Sequence, residues 1–146
     1  SKRVFSKMTP GEAYEAIVTA ISDIAVEQKH NRDKFTVHRG PLTELPLRDR
    51  VFVLEFQTAV DRVEIRMGCN EYHAEFSLTA VYSNSKQVQS RIGNDSRLLY
   101  DAIIGLIGSN NGEITDVAFL SSDVSMGDER TYFLRRNFDV SFIAST

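Results

Sequence analysis

The stretch that decides the fold runs from Glu71 to Ser83 and reads EYHAEFSLTAVYS. Successive side chains of a β-strand point to opposite faces, so a period of two marks a strand. Here the alternate positions are apolar at Tyr72, Ala74, Phe76, Leu78, Ala80 and Tyr82. The intervening positions are mostly polar, which predicts a long antiparallel strand with one buried face and one wet face. Such a strand is about 40 Å long, and we expect it to bend or to project beyond its sheet.

Strands are also predicted on the N-terminal side of this stretch. Arg50–Phe56 is almost continuously apolar, which is typical of a central strand. Gln57–Asn70 predicts a weaker strand, and Phe35–His38 predicts a short one. Between the short strand and Arg50–Phe56, prolines and a glycine in Gly40–Asp49 indicate a long loop, which we expect to be exposed.

Two helices flank these strands in the sequence. Thr9-Pro10-Gly11-Glu12 is a capping box, and the apolar stripe behind it predicts a helix that ends near Glu27–Lys29. Ser85–Leu106 has apolar residues at helical spacing. Gly93-Asn94-Asp95 leaves two alternatives open there, one long helix or two in tandem with Asp95 capping the second.

The C-terminal part predicts two more strands. Ile114–Leu120 is the first, Ser121–Asp128 is a polar loop, and the second strand follows from Tyr132 to Phe142. The whole pattern predicts a surface arm over residues 1–8 and a single α+β domain over 9–146. We expect a two-layer sandwich in which two amphipathic helices cover a mainly antiparallel sheet.

The composition excludes several classes of protein. The 146 residues are 42% hydrophobic and carry a net charge of −3, which is typical of one soluble domain. The single cysteine excludes an internal disulfide framework. The basic N-terminus has no signal-peptide apolar run, and no stretch approaches the roughly 20 apolar residues of a membrane span.

Candidate catalytic residues are few. His73 and Glu75 share one strand face, and Cys69 is near them in the sequence, but no zinc or nucleophile motif surrounds them. We therefore predict no catalytic residues, no cofactor and no metal site. An enzyme that uses His73, Glu75 or Cys69 remains the alternative.

Charged residues of mixed sign suggest a subunit interface instead. Arginine outnumbers lysine by twelve to five, and arginine suits bidentate pairing across interfaces. Mixed charge also fixes the register of an interface. The predicted interface residues are Arg48, Asp49, Arg50, Asp61, Arg62, Arg66, Arg135 and Arg136. Replacing Arg50 or Arg62 with Glu is expected to weaken assembly and to leave the monomer folded.

The order of these elements resembles that of the tail terminator, or tail-completion, proteins of long-tailed bacteriophages. The resemblance covers most of the chain from Thr9 onward. It includes the capped helix, the loop with Gly40-Pro41 and Pro46, the strand RVFVLEF, the strand EYHAEFSLTAVYS, the helix with DSRLLYDAIIGLI and the strand RTYFLRRNFDVSF. No invariant catalytic signature marks this family.

The resemblance implies a homo-oligomer, a hexameric ring at the head-proximal end of the tail in the virion, assembled in the host cytoplasm. Its partners would be the tail tube protein and a head–tail connector or neck protein, with no membrane involved. DNA would pass through the lumen without specific binding, and six touching subunits of this size leave a hole of roughly 38 Å. Loop Gly40–Asp49 and strand Glu71–Ser83 are the segments expected to reach a neighbour.

Other functions fit the same pattern. Another neck or minor tail protein would share the order of elements. A non-viral protein-binding adaptor on an α+β sheet is a further alternative, and it predicts a monomer or dimer with one apolar pocket.

Overall fold

A fifteen-residue strand runs through the middle of the sheet, where the alternating sequence predicts it. The structure is a computed structural model that describes residues 8–26, 34–58, 61–66, 69–127 and 130–144. The strands are β1 Thr36–Val37, β2 Val51–Phe56, β3 Asp61–Arg66, β4 Cys69–Ser83, β5 Ile114–Met126 and β6 Thr131–Ala144. The helices are α1 Pro10–Ser22, α2 Val88–Ile104 and the short α3 Ser109–Gly112, with a 3-10 turn at Leu42–Glu44.

The strand order is β1-β2-β4-β6-β5, and β3 pairs with β4 beyond the end of β2. Only β1 and β2 pair in parallel; the other described pairs are antiparallel. The longest ladder joins β4 to β6, from Asn70 opposite Ala144 to Ser83 opposite Thr131. The predicted mainly antiparallel α+β sandwich is confirmed.

Helices α1 and α2 cover one face of this sheet. The Thr9 hydroxyl accepts a hydrogen bond from the Glu12 amide, and the Glu12 carboxylate accepts one from the Thr9 amide, so the predicted capping box begins α1. Ile17 of α1 and Leu99 of α2 are completely buried, and both belong to the same core as Phe76 of β4. Of the two alternatives for the second helix, one continuous helix is correct.

The opposite face of the sheet is more buried than the sequence predicts. Thr79 and Val81 of β4 were expected on a wet face, but both are buried. A second, smaller apolar cluster forms there, in which Leu45 packs with Val51 and Val81. The loop before β2 was expected to be exposed, yet its Leu45 is 8% exposed because it covers this face.

The element boundaries differ from prediction at three places. α1 ends at Ser22, earlier than expected, and the predicted end at Glu27–Lys29 lies outside the described residues. β5 continues to Met126 through a segment predicted as a loop, because its backbone follows β6 where its polar side chains face solvent. Met8, expected in the N-terminal arm, is buried, and its amide donates to the Ile143 carbonyl; residues 1–7 lie outside the described part.

Candidate assembly surface

Arg50 was predicted at a subunit interface, but its side chain lies inside the protomer. It is 6% exposed, and its Nε donates to Asp95 Oδ2 at 2.8 Å. Its Nη2 donates to Asp95 Oδ1 at 3.1 Å, so the pair is bidentate. Within the protomer this guanidinium is held by a buried carboxylate of its own chain, which does not favour a contact with a neighbour, and the assignment of Arg50 to an interface stays a prediction.

One alternative from the sequence makes Asp95 the cap of a second tandem helix, but Asp95 lies inside α2 and is 1% exposed. Its Oδ2 also accepts a hydrogen bond from the Tyr82 hydroxyl at 2.8 Å. Burial, followed by the nearby Asp95 charge, raises the pKa of Tyr82 above its ordinary range. Tyr82 therefore keeps its proton, and it satisfies a carboxylate that would be costly to bury alone.

Asp49 joins the same loop to two other elements. Its Oδ1 accepts from the Ser83 amide at 2.7 Å, and its Oδ2 accepts from Arg91 Nη2 at 3.0 Å. Asp49 itself is exposed, as is its neighbour Arg48. The side chains of Asp49 and Arg50 therefore fix the loop to the domain, whereas Arg48 is exposed and forms no side-chain hydrogen bond or ion pair with another described residue.

The predicted interface residues Asp61, Arg62 and Arg66 lie on β3, which borders the sheet beside β4. Their side chains lie outside the described part of the structure. Their assignment to an interface stays a prediction.

Arg135 and Arg136 point to different faces of β6. Arg135 is exposed and lies opposite Asp123 of β5 in the register. Arg136 is half-buried under α2, where its Nη2 donates to the carbonyl and the hydroxyl of Ser96. Burial lowers the pKa of Arg136, and within the described residues no carboxylate pairs with it. The charge of Arg136 is therefore not neutralised by any described carboxylate.

The outer edge of β5 is the feature that the sequence analysis missed. β5 pairs with β6 on one side, and no other strand in the described part of the chain pairs with it. Every residue from Leu120 to Met126 is exposed. Three of them are large and apolar, since Leu120, Val124 and Met126 are 54%, 48% and 69% exposed. The signal in the sequence was the presence of Val124 and Met126 in the otherwise polar segment Ser121–Asp128.

His73, the residue of the enzyme alternative, pairs with an acid across the sheet. Its Nδ1 lies 2.9 Å from Asp139 Oδ2, and both side chains are partly exposed. Among the described residues, the hydrogen bonds of this imidazole go to that carboxylate. Ser141 lies directly opposite His73 in the register with β6, but no hydrogen bond joins the two described side chains. Glu75 is half-buried on the same face, and the Cys69 side chain lies outside the described part.

A shallow groove along α1 is the nearest match to the pocket of the adaptor alternative. It is lined by Met8, Glu12, Glu15, Ala16, Thr19, Ala20, Leu106, Ser109 and Glu113. Three of these side chains are carboxylic acids, so this groove differs from the one apolar pocket that the adaptor alternative predicts.

The described residues contain no cluster of three or more His, Cys, Asp or Glu that could hold a metal ion. Nor does that part of the chain have a helix long and apolar enough to cross a membrane. The sequence matches no protein-family model, and no curated protein is significantly similar to it.

Proposed function

We propose that this chain is a structural protein of a phage tail, a tail terminator that works as a ring of identical subunits. The ring caps the head-proximal end of the tail tube, stops its polymerisation and presents a docking surface to the head or connector. The observation that carries this proposal is the unpaired outer edge of β5 with its exposed Leu120, Val124 and Met126.

An unpaired strand edge is a template for another chain, because its free N–H and C=O groups can extend the sheet. Monomeric proteins protect such edges with Lys, Pro or bulges. The segment Leu120–Met126 contains neither Lys nor Pro, and its one charged residue is Asp123. The register shift between Phe119 and Ser121 places a bulge at Leu120, the first residue of this segment. The edge beyond that bulge is therefore suited to contact a neighbour.

Head-to-tail contacts between identical subunits close into a ring when the rotation between them closes. The β5 border and the opposite border, where β1 pairs with the start of β2 and β3 pairs with β4, are different surfaces of one sheet. A ring forms if the β5 border of one copy meets the opposite border of the next, whereas a two-fold dimer forms if one border meets itself.

The proposed partners are further copies of the chain, the tail tube protein and a connector or neck protein. The protein acts in the virion after assembly in the host cytoplasm, without a cofactor and without catalysis. A ring of six such subunits has a hole of roughly 38 Å, wide enough for a DNA duplex. The slightly acidic chain, with its net charge of −3, does not favour specific binding to that DNA.

The experiment compares the oligomeric mass of three proteins by native mass spectrometry over a range of concentrations. We expect the wild type to form a closed oligomer and the double variant Val124→Asp, Met126→Asp to stay monomeric. Ile107→Asp is the matched control, because Ile107 is an exposed apolar residue, 42% exposed, that lies just after α2. Circular dichroism checks that all three fold.

A wild type that stays monomeric at every concentration would contradict the proposed ring. If the double variant assembles as readily as the wild type, the β5 edge is not part of the contact between subunits. To separate a terminator from another neck or minor tail protein, the purified ring is added to growing tail tubes of the same virus. A terminator stops their elongation, whereas a neck protein that binds elsewhere does not.

A further inference from the structure

Four phenylalanines form a row across the sheet on the helix-covered face. Phe56 of β2 lies opposite Phe76 of β4, Phe76 lies opposite Phe138 of β6, and Phe138 lies opposite Phe119 of β5. Neighbouring ring centroids are 4.8, 5.8 and 6.1 Å apart, which is within the range of favourable aromatic contacts. The row spans four strands, or about 14 Å at the usual strand spacing.

Each end of this row is covered by a tyrosine from a helix. Tyr14 of α1 stacks on Phe56 with a centroid distance of 5.7 Å, and its hydroxyl donates to the Leu54 carbonyl. Tyr100 of α2 stacks on Phe119 with a centroid distance of 4.6 Å. The Tyr14–Phe56 pair is here called the β2 end, and the Tyr100–Phe119 pair is called the β5 end.

Both ends are open to solvent although the middle of the row is buried. Phe76 and Phe138 are completely buried, whereas Phe56 is 42% exposed at one end and Tyr100 is 37% exposed at the other. Aromatic side chains are enriched in the cores of protein interfaces and are frequent hot spots. The core of this domain thus reaches the surface as aromatic side chains at two opposite borders.

The β2 end has an excess of negative charge. Glu15 follows Tyr14 on α1. Glu55 precedes Phe56 on β2 with its side chain towards the opposite face of the sheet, yet both glutamate charges act on Tyr14. The cation near them is Arg39, which pairs with Glu15. Burial raises the pKa of Tyr14; Arg39 opposes this shift, and the two glutamates add to it. Within the described residues Glu55 forms no ion pair. One negative charge is therefore left over.

The β5 end has the opposite excess. The Cζ atoms of Arg97 and Arg136 each lie 5.8 Å from the centroid of the Tyr100 ring. Asp101 pairs with Arg97, while Arg136 has no carboxylate in the described part of the chain. One positive charge is left over, next to an aromatic pair.

We propose that the β2 end of one copy docks on the β5 end of the next, and that this head-to-tail contact is the subunit interface of the ring. The inference rests on the proposed ring function, and it names the surfaces that meet. Contact between two β2 ends or two β5 ends would bring like charges together, whereas contact between unlike ends brings opposite charges and apolar rings together. Each copy offers one end of each kind, so the contact repeats until the ring closes.

The test uses two folded chains that each lack one end. Phe56→Lys places a cation in the β2 end, and Tyr100→Glu places an anion in the β5 end. Each variant is analysed alone and in an equal mixture by native mass spectrometry. Leu47→Lys is the matched control, because Leu47 is 49% exposed and lies outside the row. Near-ultraviolet circular dichroism checks the packing of the aromatic row in every protein.

We expect each variant alone to associate at least about tenfold more weakly than the wild type, as the loss of an interface hot spot does. The mixture should associate again, because the intact β5 end of Phe56→Lys meets the intact β2 end of Tyr100→Glu. The control should assemble like the wild type. A mixture of folded variants that stays monomeric would overturn the inference.

A milder pair of variants keeps the test decisive if an aromatic substitution disturbs the fold. Glu55→Lys and Arg97→Glu change exposed or half-buried charges at the two ends. Each alone should weaken association, and both together in one chain should recover part of it. If the wild type forms rings and these variants assemble just as well, the proposed contact is overturned but the ring is not. A wild type that never associates would overturn both.

Discussion

Arg50 and Asp95 lie 45 positions apart in the chain and form a bidentate ion pair inside the domain. Their side chains are 7% and 2% exposed. The pair joins the end of the long loop to the middle of α2, and the Tyr82 hydroxyl connects it to β4. Three elements that are far apart in the sequence therefore depend on one carboxylate.

Replacing Asp95 with Ala is expected to lower the free energy of unfolding by about 3–5 kcal/mol, because it removes the buried carboxylate that both Arg50 and the Tyr82 hydroxyl contact. Chemical denaturation measures the effect. The control is Asp101→Ala, which breaks the exposed pair with Arg97 and should cost about 0–1 kcal/mol. Equal losses in the two variants would contradict the role given to the buried pair.

Arg50→Glu should fail to give a folded monomer, because it places two carboxylates together in a buried site. This outcome reverses the expectation drawn from the sequence, in which Arg50 was a surface residue. Circular dichroism and thermal unfolding of the purified variant decide between them. A cooperative unfolding transition at the wild-type temperature would favour the sequence-based expectation.

Leu45→Ala is expected to destabilise the domain by about 2–3 kcal/mol, because Leu45 fills the second apolar cluster with Val51 and Val81. Its neighbour Leu47 is 49% exposed, and Leu47→Ala should change the stability by no more than about 0.5 kcal/mol. Urea denaturation of both variants makes the comparison. If both leucines behave alike, the loop does not pack on the sheet.

Thr9→Ala removes the side-chain cap of α1 and should cost about 1 kcal/mol. Thr19→Ala is a fitting control, since Thr19 is exposed inside the same helix and Ala has the higher helix propensity. The control should be neutral or slightly stabilising. Similar losses for Thr9→Ala and Thr19→Ala would show that the cap contributes nothing specific.

The Glu15–Arg39 pair predicts a pH effect at the β2 end. The hydrogen bond from Arg39 lowers the pKa of Glu15 in the folded state. The pair therefore stabilises the fold at pH values above the pKa that Glu15 has in the unfolded chain. The effect is lost as the pH falls through the lower pKa of the folded state. Carbon NMR titration should show the pKa of Glu15 rising in Arg39→Ala. An unchanged titration curve would rule out the pair in solution.

Local patterns predicted much of this fold. The alternation in Glu71–Ser83 predicted β4, and the Thr9–Glu12 motif predicted the start of α1. Both signals depend only on residues near one another in the chain, which is why they could be recognised. The two-layer arrangement followed, because two amphipathic helices need one apolar sheet face to cover.

The surfaces could not be predicted in the same way. Arg50 and Asp95 looked like a surface charge and a helix cap, since only the folded chain brings them together. The row from Phe56 to Phe119 depends on the strand order and register, which no local pattern specifies. The edge of β5 was missed because an edge strand exposed on both faces has no apolar periodicity to detect.

The central claim is that copies of this chain associate head to tail into a closed ring. Negative-stain electron microscopy of the purified wild type tests it most directly, with native mass spectrometry counting the subunits. We predict uniform rings with one central hole of roughly 38 Å. Monomers at all concentrations, two-fold dimers or open filaments would contradict the claim.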